Sequence, residues 1–188
     1  MTIITQYVSN FDSTATDWTE VNSAPYLNNT DTDYVTTATK SQVESFFEFG
    51  STGITTGTIN SVVFYIETQQ DTGGDDKITV NIQATGVTLT AVATYVPNVG
   101  SYSFQSTDIS TILDTWAKIN SAEISLTSVR TGTAMTAVYA RRAYLYITYT
   151  AATPNPIGKK GSVFSLQSRN SKTRSRGQMG VVKLKRWV

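Results

Sequence analysis

The 188-residue chain contains no cysteine and no histidine. Without thiols there is no disulfide framework and no thiolate metal site. Without imidazole, neither a Ser-His-Asp nor a Cys-His nucleophile can be assembled. No apolar run approaches the ~18 residues of a membrane-spanning helix. The opening stretch MTIITQYVSNFD has neither the basic nor the apolar region of a secretory signal, so no leader and no membrane contact are expected. Acidic residues are also missing from one region. Residues 151–188 hold nine Lys/Arg and no Asp or Glu, whereas residues 1–150 hold all 14 acids against six Lys/Arg. The overall charge of +1 therefore hides a body at −8 joined to a tail at +9. Such asymmetry marks a chain that touches other macromolecules.

What is abundant suits β-structure. There are 32 threonines and 10 tyrosines, residues that fit a half-buried pleated surface better than a helix. Period-two alternation recurs along the body. Val62, Phe64 and Ile66 fall opposite Val63, Tyr65 and Glu67; Ile78, Val80 and Ile82 fall opposite Thr79, Asn81 and Gln83. Ile124 and Leu126 alternate with Glu123, Ser125 and Thr127, and Ala143, Leu145, Ile147 and Tyr149 with Tyr144, Tyr146 and Thr148. Further strands are expected over 2–9, 33–39, 43–49, 87–96 and 101–105, with the last long strand over 136–150. One segment differs: Ile109, Ile112, Leu113 and Trp116 recur at helical spacing, which predicts a short amphipathic helix over 108–116, capped by Thr107 or Asp108. Half-buried antiparallel strands with one helix indicate an all-β fold, a jelly-roll-like antiparallel β-sandwich, with a barrel as the alternative.

Residues 151–160 contain two prolines and read as a linker between the body, 1–150, and a basic C-terminal extended arm, 161–188. The middle of the arm, SRNSKTRSR, is too polar to fold alone. Its flanks carry apolar anchors: Val163, Phe164 and Leu166 on one side, Val182, Leu184 and Trp187 on the other. Lys159, Lys160, Arg169, Lys172, Arg174, Arg176, Lys183, Lys185 and Arg186 supply the charge. These residues form the expected partner-binding set, ordering on another protein and adding Val181–Arg186 to a free sheet edge. Clustered cations also suit phosphate backbones, but the negative body opposes nucleic acid and no nucleic-acid motif is present. A protein partner is therefore expected, copies of the same chain included, rather than nucleic acid.

Three further groups carry chemistry. Asp71, Asp75 and Asp76 flank two glycines, so the loop reads either as a calcium site or as a glycine-rich hairpin turn; no other cofactor is indicated. Asn28–Tyr34 reads as Asx turns or as cation ligands. The carboxylate pairs Glu44/Glu48 and Asp108/Asp114 have glycosidase-like composition, yet Glu44 and Glu48 fall on the outward phase of a core strand, so no enzyme is expected. Tyr144 and Tyr146, with Arg142 beside them, face away from Leu145 and Ile147. They suit stacking on a glycan, contact with another subunit, or cover by the arm.

In order along the chain, Trp18, Asp31–Val35 (DTDYV), Phe46–Phe49 (FFEF), Gly57–Ile66, Ile78–Ile82, Trp116 with Ile124–Leu126, and Ala143–Tyr149 resemble the jelly-roll accessory structural proteins of tailed bacteriophages and related viruses. The resemblance covers most of residues 10–150 and leaves out the basic arm. It implies a non-enzymatic, multicopy virion protein of a head decoration, collar or tail, assembled in the host cytoplasm beside other virion proteins. Jelly rolls of this kind also resemble carbohydrate-binding modules, which implies host-surface glycan recognition as the alternative.

Overall fold

The computed structural model describes residues 1–11, 17–22, 24, 26–130, 132 and 135–153. The arm and most of the linker, with every charge and anchor assigned to them above, lie outside the described residues. Eleven strands and one short helix follow in order: β1 (Thr2–Phe11), β2 (Thr19–Val21), β3 (Tyr34–Thr37), β4 (Val43–Phe49), β5 (Thr58–Gln70), β6 (Lys77–Ala84), β7 (Val87–Tyr95), β8 (Asn98–Val99), β9 (Ser103–Asp108), α1 (Trp116–Ile119), β10 (Glu123–Val129) and β11 (Val138–Thr150). All pairings are antiparallel except the two-residue β5–β8 bridge. The fold is a jelly-roll-like antiparallel β-sandwich.

Sheet I is built around β11. One edge of β11 pairs with β5 along its length, and the other pairs with β3 over Val138–Ala140 and with β1 over Tyr144–Tyr149. Beyond β5 lie β8 and β9. Sheet II runs β1, β4, β10, β6, β7. β1 serves both sheets: Thr2–Tyr7 pairs with β11, and Val8–Phe11 pairs with β4 across an irregularity between Val8 and Asn10. Between the layers, Val62, Phe64, Ile66, Leu145 and Ile147 meet Phe47, Ile78, Val80, Ile82, Ile124 and Leu126, each no more than 1% exposed. Burial of each such side chain stabilises by about 1.5–3 kcal/mol relative to exposure, which makes this alternating set the energetic centre of the fold.

Three local expectations change. The helix begins at Trp116, where Thr115 caps it by accepting from the Lys118 N–H. Residues 109–113 instead close a single turn, Leu113 N–H to Ile109 O at 3.0 Å. The Asp108 carboxylate accepts the Ser110 N–H at 2.9 Å, a local bond that competes with helix propagation. Ile109, Leu113 and Trp116 are buried all the same, so the spacing reported burial rather than a continuous helix.

Glu44 is fully buried rather than outward. Ile124 and Leu126 of β10 oppose Phe47 and Glu44 of β4, a two-residue step against three. The extra residue reverses the alternation of β4 and turns Glu44 inward, where its carboxylate accepts the Trp18 N–H at 3.0 Å.

The 71–76 loop is not a hairpin turn, because β5 belongs to sheet I and β6 to sheet II. At the opposite end of β5, Gly57 has φ +109°, and a Cβ there would meet Thr150 O at 2.7 Å. That close approach requires glycine, and Gly57 O accepts the Trp116 indole N–H at 3.1 Å.

Candidate binding face

The residues of sheet I that alternate with its core residues form an aromatic surface. Tyr144 of β11 is opposite Tyr7 of β1 and Tyr65 of β5, and Tyr65 is opposite Ser106 of β9. Cross-strand neighbours on one face have side chains within contact reach, and these rings touch in series. Tyr65 and Tyr144 stack at 4.9 Å between centroids and 11° between planes. Tyr7 lies 5.3 Å from Tyr144, Phe104 lies 5.8 Å from it edge-on, and Tyr146 lies 6.4 Å from Tyr65. Phe104 is 46% exposed and Ile3 52%, so this patch is open to solvent.

A second aromatic group sits further along β11, where Tyr139 contacts Tyr34 at 5.8 Å and Tyr102 at 6.5 Å. Between the two groups lies an ionic cluster. Arg142 is the extra residue of a bulge: Arg141 opposes Glu67 and Ala143 opposes Ile66. Its φ of +43° is a left-handed conformation disfavoured for a long side chain. The bulge presents two consecutive arginines to one carboxylate. Arg141 Nε donates to Glu67 Oε2 at 2.8 Å and Arg142 Nε donates to the same oxygen at 2.7 Å. Arg142 also pairs with Asp31 at 2.7 Å, and Arg141 donates to Asp31 O at 2.8 Å. The guanidiniums then reach aromatic rings: Arg141 lies 3.8 Å from the centre of Tyr102, and Arg142 5.1 Å from that of Phe104, both within cation–π range.

Burial alone would raise the Glu67 carboxyl, but hydrogen bonds from Arg142 and Arg141 outweigh it and hold Glu67 below the usual carboxylate range. Glu67 is therefore ionised at neutral pH and fixes both arginines. Burial pushes the Tyr102 phenol up to about 12. It also raises Tyr144, with Tyr65 and Tyr7 as neighbouring causes. Both phenols are neutral hydrogen-bond donors and acceptors at neutral pH.

The structure thus brings together Arg142, Tyr144 and Tyr146 from the sequence expectation. It adds Arg141, next to Arg142 in the chain, and Tyr7, Tyr65, Phe104, Tyr102 and Glu67, which only the strand register could place beside them. The 28–34 loop supplies Asp31 and is organised by an Asx turn, Thr30 N–H to Asn28 Oδ1 at 2.8 Å. Asn28 Nδ2 donates to Asp33 at 2.9 Å.

The calcium expectation for Asp71, Asp75 and Asp76 gives way to separate roles. Asp76 is fully buried, pairs with Arg130 at 3.1 Å and accepts the Thr136 N–H and hydroxyl. Asp71 accepts the Tyr139 hydroxyl at 3.0 Å, and Asp75 is exposed. Among the described residues no group of three or more acids converges on a cation position. The carboxylate pairs are divided as well. Glu44 is buried against Trp18 while Glu48 accepts from Asn10 at 2.7 Å. Asp108 is held by Ser110 and Asp114 by Lys118. Among the described residues no helix is long and apolar enough to cross a membrane.

No protein-family model matches the chain, and no curated protein does. Among solved structures it is similar to the CBM22-1-GH10 modules of endo-1,4-beta-D-xylanase 10B from Clostridium thermocellum, complexed with xylohexaose, at 10% identity and TM-score 0.47. That match covers 79% of this chain but 28% of the xylanase modules. It is also similar to the CBM22-1 xylan-binding domain of Paenibacillus barcinonensis Xyn10C, at 10% identity, 80% and 95% coverage and TM-score 0.40. A family 29 carbohydrate binding module matches at 11% identity, 85% and 99% coverage and TM-score 0.43. With each of these three TM-scores below 0.5, the fold stands on its own strand pairing.

Proposed function

We propose that the chain is a non-enzymatic glycan-binding module and that the outer face of sheet I holds the sugar. The observation that carries this reading is the continuous series Phe104, Tyr144, Tyr65, Tyr7 and Tyr146 beside the Arg141–Glu67–Arg142 cluster. A pyranose ring has a C–H-rich face that packs on an aromatic ring and a rim of hydroxyls that need donors and acceptors. Apolar area with a few fixed polar groups is the usual make-up of a small-ligand site. Phenol hydroxyls and fixed guanidiniums at the edge of the rings supply both. The test is a glycan array probed with the full chain, wild type against Tyr65→Ala and Tyr144→Ala. Retention of a defined glycan class that drops at least tenfold in both variants supports the reading; failure of the wild type to retain any glycan overturns it.

The charge split favours a second reading, a multicopy structural component of a phage-type particle held by the arm. It rests on the sequence resemblance and on the −8/+9 division; no comparison supports it. On this reading the arm joins other virion proteins, and the aromatic face lies between subunits. A chain ending at Thr150 should remain folded but fail to enter particles, and normal incorporation would refute the anchoring role.

A further inference from the structure

β11 carries two aromatic groups on the outer face of sheet I, and the proposed sugar contacts use only one of them. The other lies on the far side of the bulge. Tyr139 of β11 is opposite Thr36 of β3 and Gln69 of β5. Its ring meets Tyr34 at 5.8 Å and Tyr102 at 6.5 Å, both edge-on. The Tyr139 hydroxyl donates to Asp71 at 3.0 Å, which fixes the ring. Tyr34, Tyr102, Tyr139 and Gln69 are all half-buried, so each keeps part of its surface in solvent.

Spacing and charge together define what could reach both groups. Tyr139 and Tyr144 are five positions apart, one of them the bulged Arg142. At about 3.3 Å per residue, the other four steps separate the two rings by roughly 13 Å along the strand. A single pyranose ring is too short to touch both. Between them, Arg141 and Arg142 are paired with Glu67 and Asp31, and Asp71 is exposed beside Tyr139. These five groups leave one negative charge over, so nothing here attracts a sugar carboxylate or sulfate. The partly exposed Arg142–Asp31 pair instead offers a donor and an acceptor to neutral hydroxyls.

We propose that Tyr34, Tyr102, Tyr139 and Gln69 form a second subsite, and that the two subsites hold one uncharged, linear oligosaccharide running along β11. This rests on the glycan-binding reading and gives it a ligand class. One part of the sugar chain packs on the Phe104–Tyr144–Tyr65 group, another on the Tyr139 group, and the ion pairs meet the hydroxyls between. Once either part is bound, the other is held at high effective concentration over its subsite, so affinity climbs with chain length.

The test is calorimetric titration of the full chain with linear β-1,4-linked gluco-, manno- and xylo-oligosaccharides of two and six residues. Oligogalacturonates of the same lengths form the acidic arm. A neutral hexasaccharide should bind at least tenfold more tightly than its disaccharide, and the galacturonates should give no binding heat. In Tyr34→Ala and in Tyr139→Ala the hexasaccharide should lose that advantage; the wild-type length series does not depend on either variant folding. Equal affinity for both lengths overturns the second subsite, as does a length advantage that survives both variants. Tightest binding of a galacturonate, or binding of no neutral hexasaccharide, overturns the ligand class. Where the array retains a glycan, these results leave the glycan-module reading standing; an array that retains none overturns both.

Discussion

The two outer faces of the sandwich share one inner pattern and differ in almost everything else. On sheet II the outward residues of β6 and the strands beside it are mainly hydroxyls, amides and carboxylates that satisfy each other across strands: Thr79 with Thr94 at 2.9 Å, Asn81 with Thr127 at 3.2 Å, Gln83 with Glu123 at 2.6 Å; its exposed apolar residues, Val43, Leu89 and Val129, stand singly on three different strands. Pairs of this kind support a sheet by a few tenths to about 1 kcal/mol each and need no partner beyond water. On sheet I the equivalent positions hold five aromatic rings in contact and two arginines drawn to one carboxylate. Sheet II shows what the fold requires of an outer face. The aromatic surface of sheet I, with a positive-φ arginine in its bulge, goes beyond that requirement. Strain of this sort costs on the order of 1–3 kcal/mol and persists where the surroundings enforce it.

The contrast predicts different sensitivities. Glu67→Ala leaves two guanidiniums without their shared counter-charge, and urea unfolding should show a loss of about 3 kcal/mol. Glu123→Ala on sheet II should stay within about 1 kcal/mol. The same pairing has a pH signature. Because Glu67 titrates below its ordinary value of 4.5, its stabilisation is complete above that pH and disappears as the pH falls through the folded value. Acid unfolding of Glu67→Gln should lack this component.

Tyr144→Ala should weaken glycan binding at least tenfold, about 1.4 kcal/mol, measured by calorimetric titration. Thr127→Ala, its counterpart on the other sheet, should leave affinity unchanged. Arg142→Gly sharpens the comparison further. Glycine relieves the left-handed backbone while the variant loses partly exposed ion pairs, so unfolding free energy should shift by less than about 1 kcal/mol, yet affinity should fall. The smallest effect is spectroscopic. Tyr102 should be among the last phenols to ionise, near pH 12, and Tyr102→Phe should remove that late step from an ultraviolet titration.

Much of this contrast was legible in the chain, and some of it was not. The alternation of Val62–Glu67, Lys77–Gln83 and Ala143–Thr148 gave the core face directly, because a half-buried strand permits only one phase. It also placed Tyr65, Tyr144 and Tyr146 outward. Alternation carries no information about which strands are neighbours, so Tyr7 and Phe104 could not be assigned to the same patch. The bulges were faint for a related reason. One extra residue in β4 buried Glu44, and one in β11 turned Arg142 to the same side as Arg141; the phase change in β11, from Val138 and Ala140 to Ala143 and Leu145, is carried largely by alanines. The helix was displaced because residues 109–113 bury the same side chains in a single turn that a longer helix would.

The most direct test of the aromatic face is amide chemical-shift mapping of the full chain, titrated with the glycan that the array selects. Shifts concentrated on residues 5–7, 63–67, 102–106 and 139–146 are the predicted result. Shifts confined to 77–83 and 123–129 would assign binding to sheet II and contradict the account.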